Sequence, residues 1–210
     1  MAWELSNLEF TSLRYFYTPI FRAPIAYRKF IFKRNIRTRS WKNGVVMSLY
    51  DLILSRRSVR RYKDKEIPKD VLDKIVEVGR QSPSAANRQP YRFIILDDSK
   101  LKQGLPGRFS RFLTKAPVVI IGCANINALL TGKWATIDTT IALENMILAA
   151  WSLGLGSCWI GSFNEKKVKD LLKIPKDWKV VALVTLGYPA ETPKARKKKP
   201  VNELFGINQF

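Results

Sequence analysis

Residues 136–153 read Thr-Ile-Asp-Thr-Thr-Ile-Ala-Leu-Glu-Asn-Met-Ile-Leu-Ala-Ala-Trp-Ser-Leu. Ile141, Ala142, Leu143, Met146, Ile147, Leu148, Ala149, Ala150 and Trp151 leave this segment, the longest helical candidate of the chain, apolar almost all round. Such a helix is expected to be buried, in the core or at a subunit interface. Gly154-Leu155-Gly156 ends it. Working outward, the runs 91–96, 117–121, 158–160 and 180–186 read as strands. A short helix is expected over 49–54, a second one opened by Pro68, and a third capped by Asn164 and stopping before Pro175. Residues 104–107 read as a linker, and 108–115 as a short basic-aromatic segment. Strands mixed with helices, without an internal repeat, predict one α+β layer structure over residues 47–210.

The chain has 210 residues and 24.1 kDa, with 46% hydrophobic and 26% charged residues, which is ordinary globular usage. It contains 0 histidines. That excludes a Ser-His-Asp or Cys-His device and any zinc site that needs imidazole, and no metal site is expected. Cys123 and Cys158 lie far apart in apolar runs, so they are expected to be buried free thiols, with the cytoplasm as the default compartment. The formal charge is +20, which suits anionic partners without choosing among them. The first 46 residues carry nine Lys/Arg against Glu4 and Glu9, a net +7, together with ten aromatics. No signal sequence or apolar stretch of membrane-spanning length is read there. An arm packed on the body or on a second subunit is the favoured reading of residues 1–46. A membrane-surface segment, a nucleic-acid contact and translation from Met47 are the alternatives.

Several short motifs fail on inspection. Gly154-Leu155-Gly156 follows a helix rather than a strand and lacks the spacing of a dinucleotide fingerprint, and Gly132-Lys133 lacks the rest of a phosphate loop. By itself, Arg196-Lys197-Lys198-Lys199 reads as a solvated basic tail. Three segments carry more. Arg56-Arg57-Ser58-Val59-Arg60-Arg61 offers cations and a hydroxyl where a helix ends, a composition for gripping a phosphate. Residues 82–90, Ser-Pro-Ser-Ala-Ala-Asn-Arg-Gln-Pro, offer turn backbone and amide side chains suited to a planar ring. Residues 157–163 end in small residues whose backbone N–H groups can face a ligand.

Together with Leu186-Gly187-Tyr188-Pro189 and Lys198-Lys199-Pro200, these stretches make residues 47–205 resemble the FMN-dependent nitroreductase family. The resemblance implies an α/β/α sandwich around a mixed, mainly antiparallel sheet. It also implies a homodimer with two FMN sites at its interface, and ping-pong reduction of small electrophiles by NADH or NADPH. Arg56 and Ser58 match the family's flavin phosphate and ribityl contacts, with Arg57 beside them. Arg60 matches the basic residue near the flavin N1/O2 edge, where a guanidinium favours the reduced ring. Pro83, Ser84, Ala85 and Asn87 match the loop that reaches the partner subunit's flavin, with Gln89 as a weaker member. Ile160 and Gly161 match the strand end whose backbone N–H faces N5, and Arg196 and Lys198 match the paired phosphate ligands.

No side chain is assigned as catalytic, because the flavin carries the chemistry while Arg60 and Gly161 tune it. The stretch 108–112 carries no assigned flavin contact, and the lid-like insertion of larger members is missing between Cys123 and Trp134. The expected function is an FMN-dependent NAD(P)H oxidoreductase acting on nitroaromatics, quinones or similar acceptors. The alternatives are a specialised flavin activity (reductive dehalogenation or flavin destruction) and a non-catalytic basic protein that binds a membrane or partner. Nucleic acid is not an expected partner.

Overall fold

The computed structural model describes residues 48–105 and 110–209. The extension 1–46, and the Arg108-Phe109 part of the basic-aromatic segment, lie outside the described residues. Ser48 opens helix α1 (Leu49–Ser55), its Oγ accepting the Asp51 N–H at 3.1 Å. Helix α2 (Lys69–Arg80) starts directly after Pro68. Strand β1 (Tyr91–Leu96) is followed by the short helices α3 (Ser99–Gly104) and α4 (Ser110–Leu113), then by β2 (Val118–Asn125). Helix α5 (Ala135–Ser152), β3 (Gly156–Ile160), α6 (Glu165–Leu172) and β4 (Trp178–Gly187) complete the domain.

The four strands form one sheet in the order β1-β2-β4-β3, with every neighbouring pair antiparallel. A single parallel bridge, Ser58 to Ser157, adds the mixed character. Val118 and Ile120 point to one face of β2, while Val119 and Ile121 point to the other, and all four are buried. That explains why this strand reads as a continuous apolar run. On the first face they meet Ile75 of α2 and Leu143, Met146, Ile147 and Ala150 of α5. On the second, Leu105, Leu113 and Val168 cover Ile121, Ile160 and Leu183. The result is the expected α/β/α sandwich.

Three details differ from the sequence reading. Residues 99–104, ahead of the expected 104–107 linker and assigned no element in the sequence, form helix α3, whose start is capped by Asp98 Oδ1 accepting the Leu101 N–H at 2.9 Å. Strand β2 runs on to Asn125, and β4 begins at Trp178, because the two strands pair along their whole length. Helix α5 is not buried all round: Ile137 and Ile141, one turn apart, are 49% and 37% exposed. Both cysteines are free and buried, as expected, and burial pushes the Cys123 thiol up to about 11. Lys102 is also buried, its Nζ donating to the carbonyls of Ala116 (2.9 Å) and Pro117 (2.8 Å) at the start of β2. Burial pushes the pKa of this ammonium down.

Candidate active site

The basic segment that follows α1 lies against a gap in the side-chain cover of the sheet. Gly156 of β3 and Gly187 of β4 are cross-strand partners. A Cβ on Gly156 would come within 2.7 Å of Val59 Cβ, and one on Gly187 within 2.8 Å of Tyr62 Cδ1. Neither glycine could carry a side chain without displacing Val59 at the first position or Pro117 and Tyr62 at the second. The segment is fastened there by the Val59 N–H donating to the Ser157 carbonyl at 2.8 Å and by an antiparallel bridge from Tyr62 to Pro189. Tyr62 Oη donates to the Val59 carbonyl at 2.7 Å and shares a 2.7 Å hydrogen bond with Thr185 Oγ1. Burial pushes the Tyr62 phenol well above its usual range.

This arrangement carries Arg56, Ser58 and Arg60 to β3. The Cys158 thiol reports it electrostatically: burial raises its pKa, while the positive charges of Arg60 and Arg56 pull it down. Ile160 is buried at the end of the strand, and Gly161 beyond it is exposed. Arg57 does something else: its Nη1 donates to the Leu54 and Arg56 carbonyls, each at 2.8 Å, closing the end of α1.

Glu191 ties the C-terminal basic run to the same place. Its Oε1 accepts the backbone N–H groups of Arg60 (2.7 Å) and Arg61 (3.1 Å), and its Oε2 accepts Arg61 Nε at 3.0 Å. These bonds, that from the Arg60 N–H first, hold its carboxyl below the usual carboxylate range. Arg196 and Lys198 lie on exposed chain beyond it. Arg196 is five positions beyond Glu191, so their Cα atoms are at most about 18 Å apart.

The 82–90 loop is built separately. Ala86, Asn87 and Gln89 have φ of 49°, 53° and 51°, left-handed conformations that are costly for residues with a Cβ. Within the loop, Ser84 Oγ accepts the Gln89 N–H at 3.0 Å, and Gln89 Nε2 donates to the Asn87 carbonyl at 3.0 Å. Helix α5 supplies the external support. Asp138, buried, accepts the Ala85 N–H on both carboxylate oxygens, and Asn145 Nδ2 donates to Ser82 Oγ at 2.9 Å. Pro83 lies exposed between them.

The same helix holds the basic segment at another level. Glu144 Oε1 stands 3.6 Å from Arg56 Nε, and Trp151 Nε1 donates to Ser55 Oγ at 3.0 Å. Asp138 and Asn145 are seven residues apart, as are Glu144 and Trp151, so each pair lies two turns apart on one helix face. The two faces differ by about 120° and the two levels by about 9 Å. Within one chain, therefore, the basic segment lies against β3, whereas the 82–90 loop is held on a different face of α5 through Asp138 and Asn145. Sequence reasoning missed Asp138, Asn145, Glu144 and Glu191. The first three are polar breaks in the apolar pattern of α5, and that interruption was the available signal.

A family model, the Nitroreductase family, matches residues 53–119 and 104–188. The chain belongs to the nitroreductase family. It is similar to a nitroreductase family protein from Clostridium novyi NT, with 35% identity and a TM-score of 0.64, covering 71% of this chain and 89% of that one. It is also similar to an FMN-dependent nitroreductase from Clostridium difficile R20291, with 30% identity and a TM-score of 0.68, covering 76% and 98%. The FMN reductase [NAD(P)H] of Bacillus subtilis is 28% identical over 183 residues, which is 75% of this chain and 71% of that protein. Among the described residues, no helix is long and apolar enough to cross a membrane.

Proposed function

We propose that the protein is a homodimeric, FMN-dependent NAD(P)H oxidoreductase that reduces small electrophiles such as quinones or nitroaromatics. The observation that carries this reading is the seating of the 56–62 segment on the Gly156–Gly187 gap, which sets Arg56 and Arg60 beside β3. The donor set fits a flavin mononucleotide. Several guanidiniums and a hydroxyl surround the strand end, the neighbouring carboxylates Glu144 and Glu191 are already engaged, and Ser157 Oγ is buried without a hydrogen-bond partner among the described residues. Arg56, Ser58, Arg196 and Lys198 would hold the phosphate and ribityl chain, with Arg57 a further cation beside them. Arg60 would face the pyrimidine edge, and Ile160 and Gly161 would face N5. When bound, FMN supplies hydride acceptance and electron delivery.

Ser84, Ala85, Asn87 and Gln89, with Pro83, would serve the site of a second copy. Their attachment to a face of α5 about 120° from the one that holds Arg56 favours that reading, and so does the exposure of Ile137, Ile141, Leu49 and Tyr50 in the single chain. A strained loop held by a buried carboxylate is the kind of feature retained at ligand sites.

The test is purification of the full chain, its flavin spectrum, and its turnover of NADH and NADPH with quinones and nitroaromatics after FMN is added. Stoichiometric FMN on a dimer, with acceptor-dependent oxidation of either nucleotide, is expected. A protein that refuses FMN would overturn the proposal.

A further inference from the structure

Phe112 and Lys115 belong to the basic-aromatic segment to which no flavin contact is assigned. Both come together with Arg60, Arg61, Tyr62 and Ala190 around a cleft of about 400 Å³. Three of these six residues are cations, and Arg60, Arg61 and Lys115 are all exposed. The carboxylate nearest them, Glu191, is engaged by two backbone N–H groups and by Arg61 Nε. The Arg61 contact uses Nε, so the terminal nitrogens of its guanidinium extend past the carboxylate.

The cleft has firm walls. Arg60 to Tyr62 are fixed by the glycine seat and the Tyr62–Pro189 bridge. Lys115 is preceded by buried Leu113 and followed by the Ala116 and Pro117 carbonyls, which Lys102 holds. Three cationic residues lining one cleft suit a phosphomonoester, which carries close to two negative charges and three acceptor oxygens. A phenyl ring at the same cleft suits a purine lying beside that phosphate. Arg60 belongs both to this cleft and to the proposed flavin site, so a ligand here lies next to the flavin. A reductant with a phosphomonoester attached to its adenosine satisfies all three conditions, and NADH, with hydroxyls at that position, does not.

We propose that this cleft receives the 2′-phosphate and adenine of NADPH and makes the enzyme selective for NADPH over NADH. The proposal rests on the flavin reading above. Its test uses the full chain loaded with FMN, comparing the wild type with Lys115→Ala and Lys115→Glu. Bound flavin, the Kd of NADP+ by titration, and kcat and KM for both nucleotides are measured with one quinone acceptor.

The wild type is expected to favour NADPH at least tenfold in kcat/KM. The variants should raise KM for NADPH and the Kd of NADP+ about tenfold, most in Lys115→Glu. Flavin content, kcat and KM for NADH should stay within about twofold. Equal use of the two nucleotides by the wild type would overturn the proposal, as would a parallel rise of both KM values. Loss of FMN in the variants would assign the cleft to the flavin and overturn it too. A wild type that binds no FMN would instead refute the reading beneath it.

Discussion

Gly156 and Gly187 face each other across β3 and β4, and the side chains of Val59 at one, and of Tyr62 and Pro117 at the other, occupy the space that their missing side chains leave. Gly156→Ala would place its methyl 2.7 Å from Val59 Cβ and Cγ2. Val59 is β-branched, fully buried and anchored through its N–H, so it has no rotamer in which to retreat. Overpacking of this kind costs about 1–3 kcal/mol. We expect a lowered Tm together with reduced bound flavin per chain. Gly161→Ala, whose new methyl would meet only Trp159 Nε1 at 3.8 Å, should keep the wild-type Tm.

Asp138→Ala removes the acceptor of the Ala85 N–H. Losing a buried partner leaves a desolvation penalty of about 1–3 kcal/mol, and it falls on a loop that already holds three left-handed residues. Hydrogen exchange at the amides of 85–89 should speed up well beyond any change in the core strands. Unaltered protection in this loop would show that the contact does not support it.

Glu191 separates charge from hydrogen bonding. Glu191→Gln keeps a carbonyl oxygen for the Arg60 and Arg61 amides but loses the ion pair, while Glu191→Ala loses both. FMN affinity measured by fluorescence titration should fall modestly in the first variant and at least tenfold in the second. The depressed carboxyl pKa also sets a direction with acid. The stabilisation by Glu191 is complete above the ordinary glutamate pKa and is lost as pH falls through the lower folded value.

Tyr62 adds to an alkaline limb that the buried thiols of Cys123 and Cys158 begin. Its phenol is raised by burial, so above about pH 10 the unfolded chain releases this proton while the folded chain keeps it. Stability therefore falls with rising pH from that point, by up to about 1.4 kcal/mol per unit from this group. Tyr62→Phe should be less stable at neutral pH, through loss of its bonds to Thr185 and the Val59 carbonyl, and should show a shallower decline above pH 10. Urea denaturation across pH 8–11 checks both.

The layers of this fold were legible because its central elements are extreme. A strand buried on both faces reads as Val118-Val119-Ile120-Ile121, and an apolar helix reads as residues 136–153. The basic segment, the 82–90 loop and the glycine-flanked β3 were also visible, as compositions suited to a ligand. Their supports were not. Asp138, Asn145 and Glu144 look like interruptions of a hydrophobic run until the fold brings residues 53, 63 and 88 positions away against them. Glu191 reaches back 131 positions to Arg60. Helix α3 was missed because its Asp-Ser start resembles the end of a strand until the cap is seen to close.

Helix α5 acts as a phase-locked spacer between its two sets of attachments. Any substitution that keeps the helix keeps the angle between them, whereas one residue inserted between Ile141 and Leu143 would turn the Asp138 end by about 100° and advance it about 1.5 Å relative to Glu144 and Trp151. Evolution of this segment is thereby confined to exchanges of side chains. Changes of length must be taken up outside it.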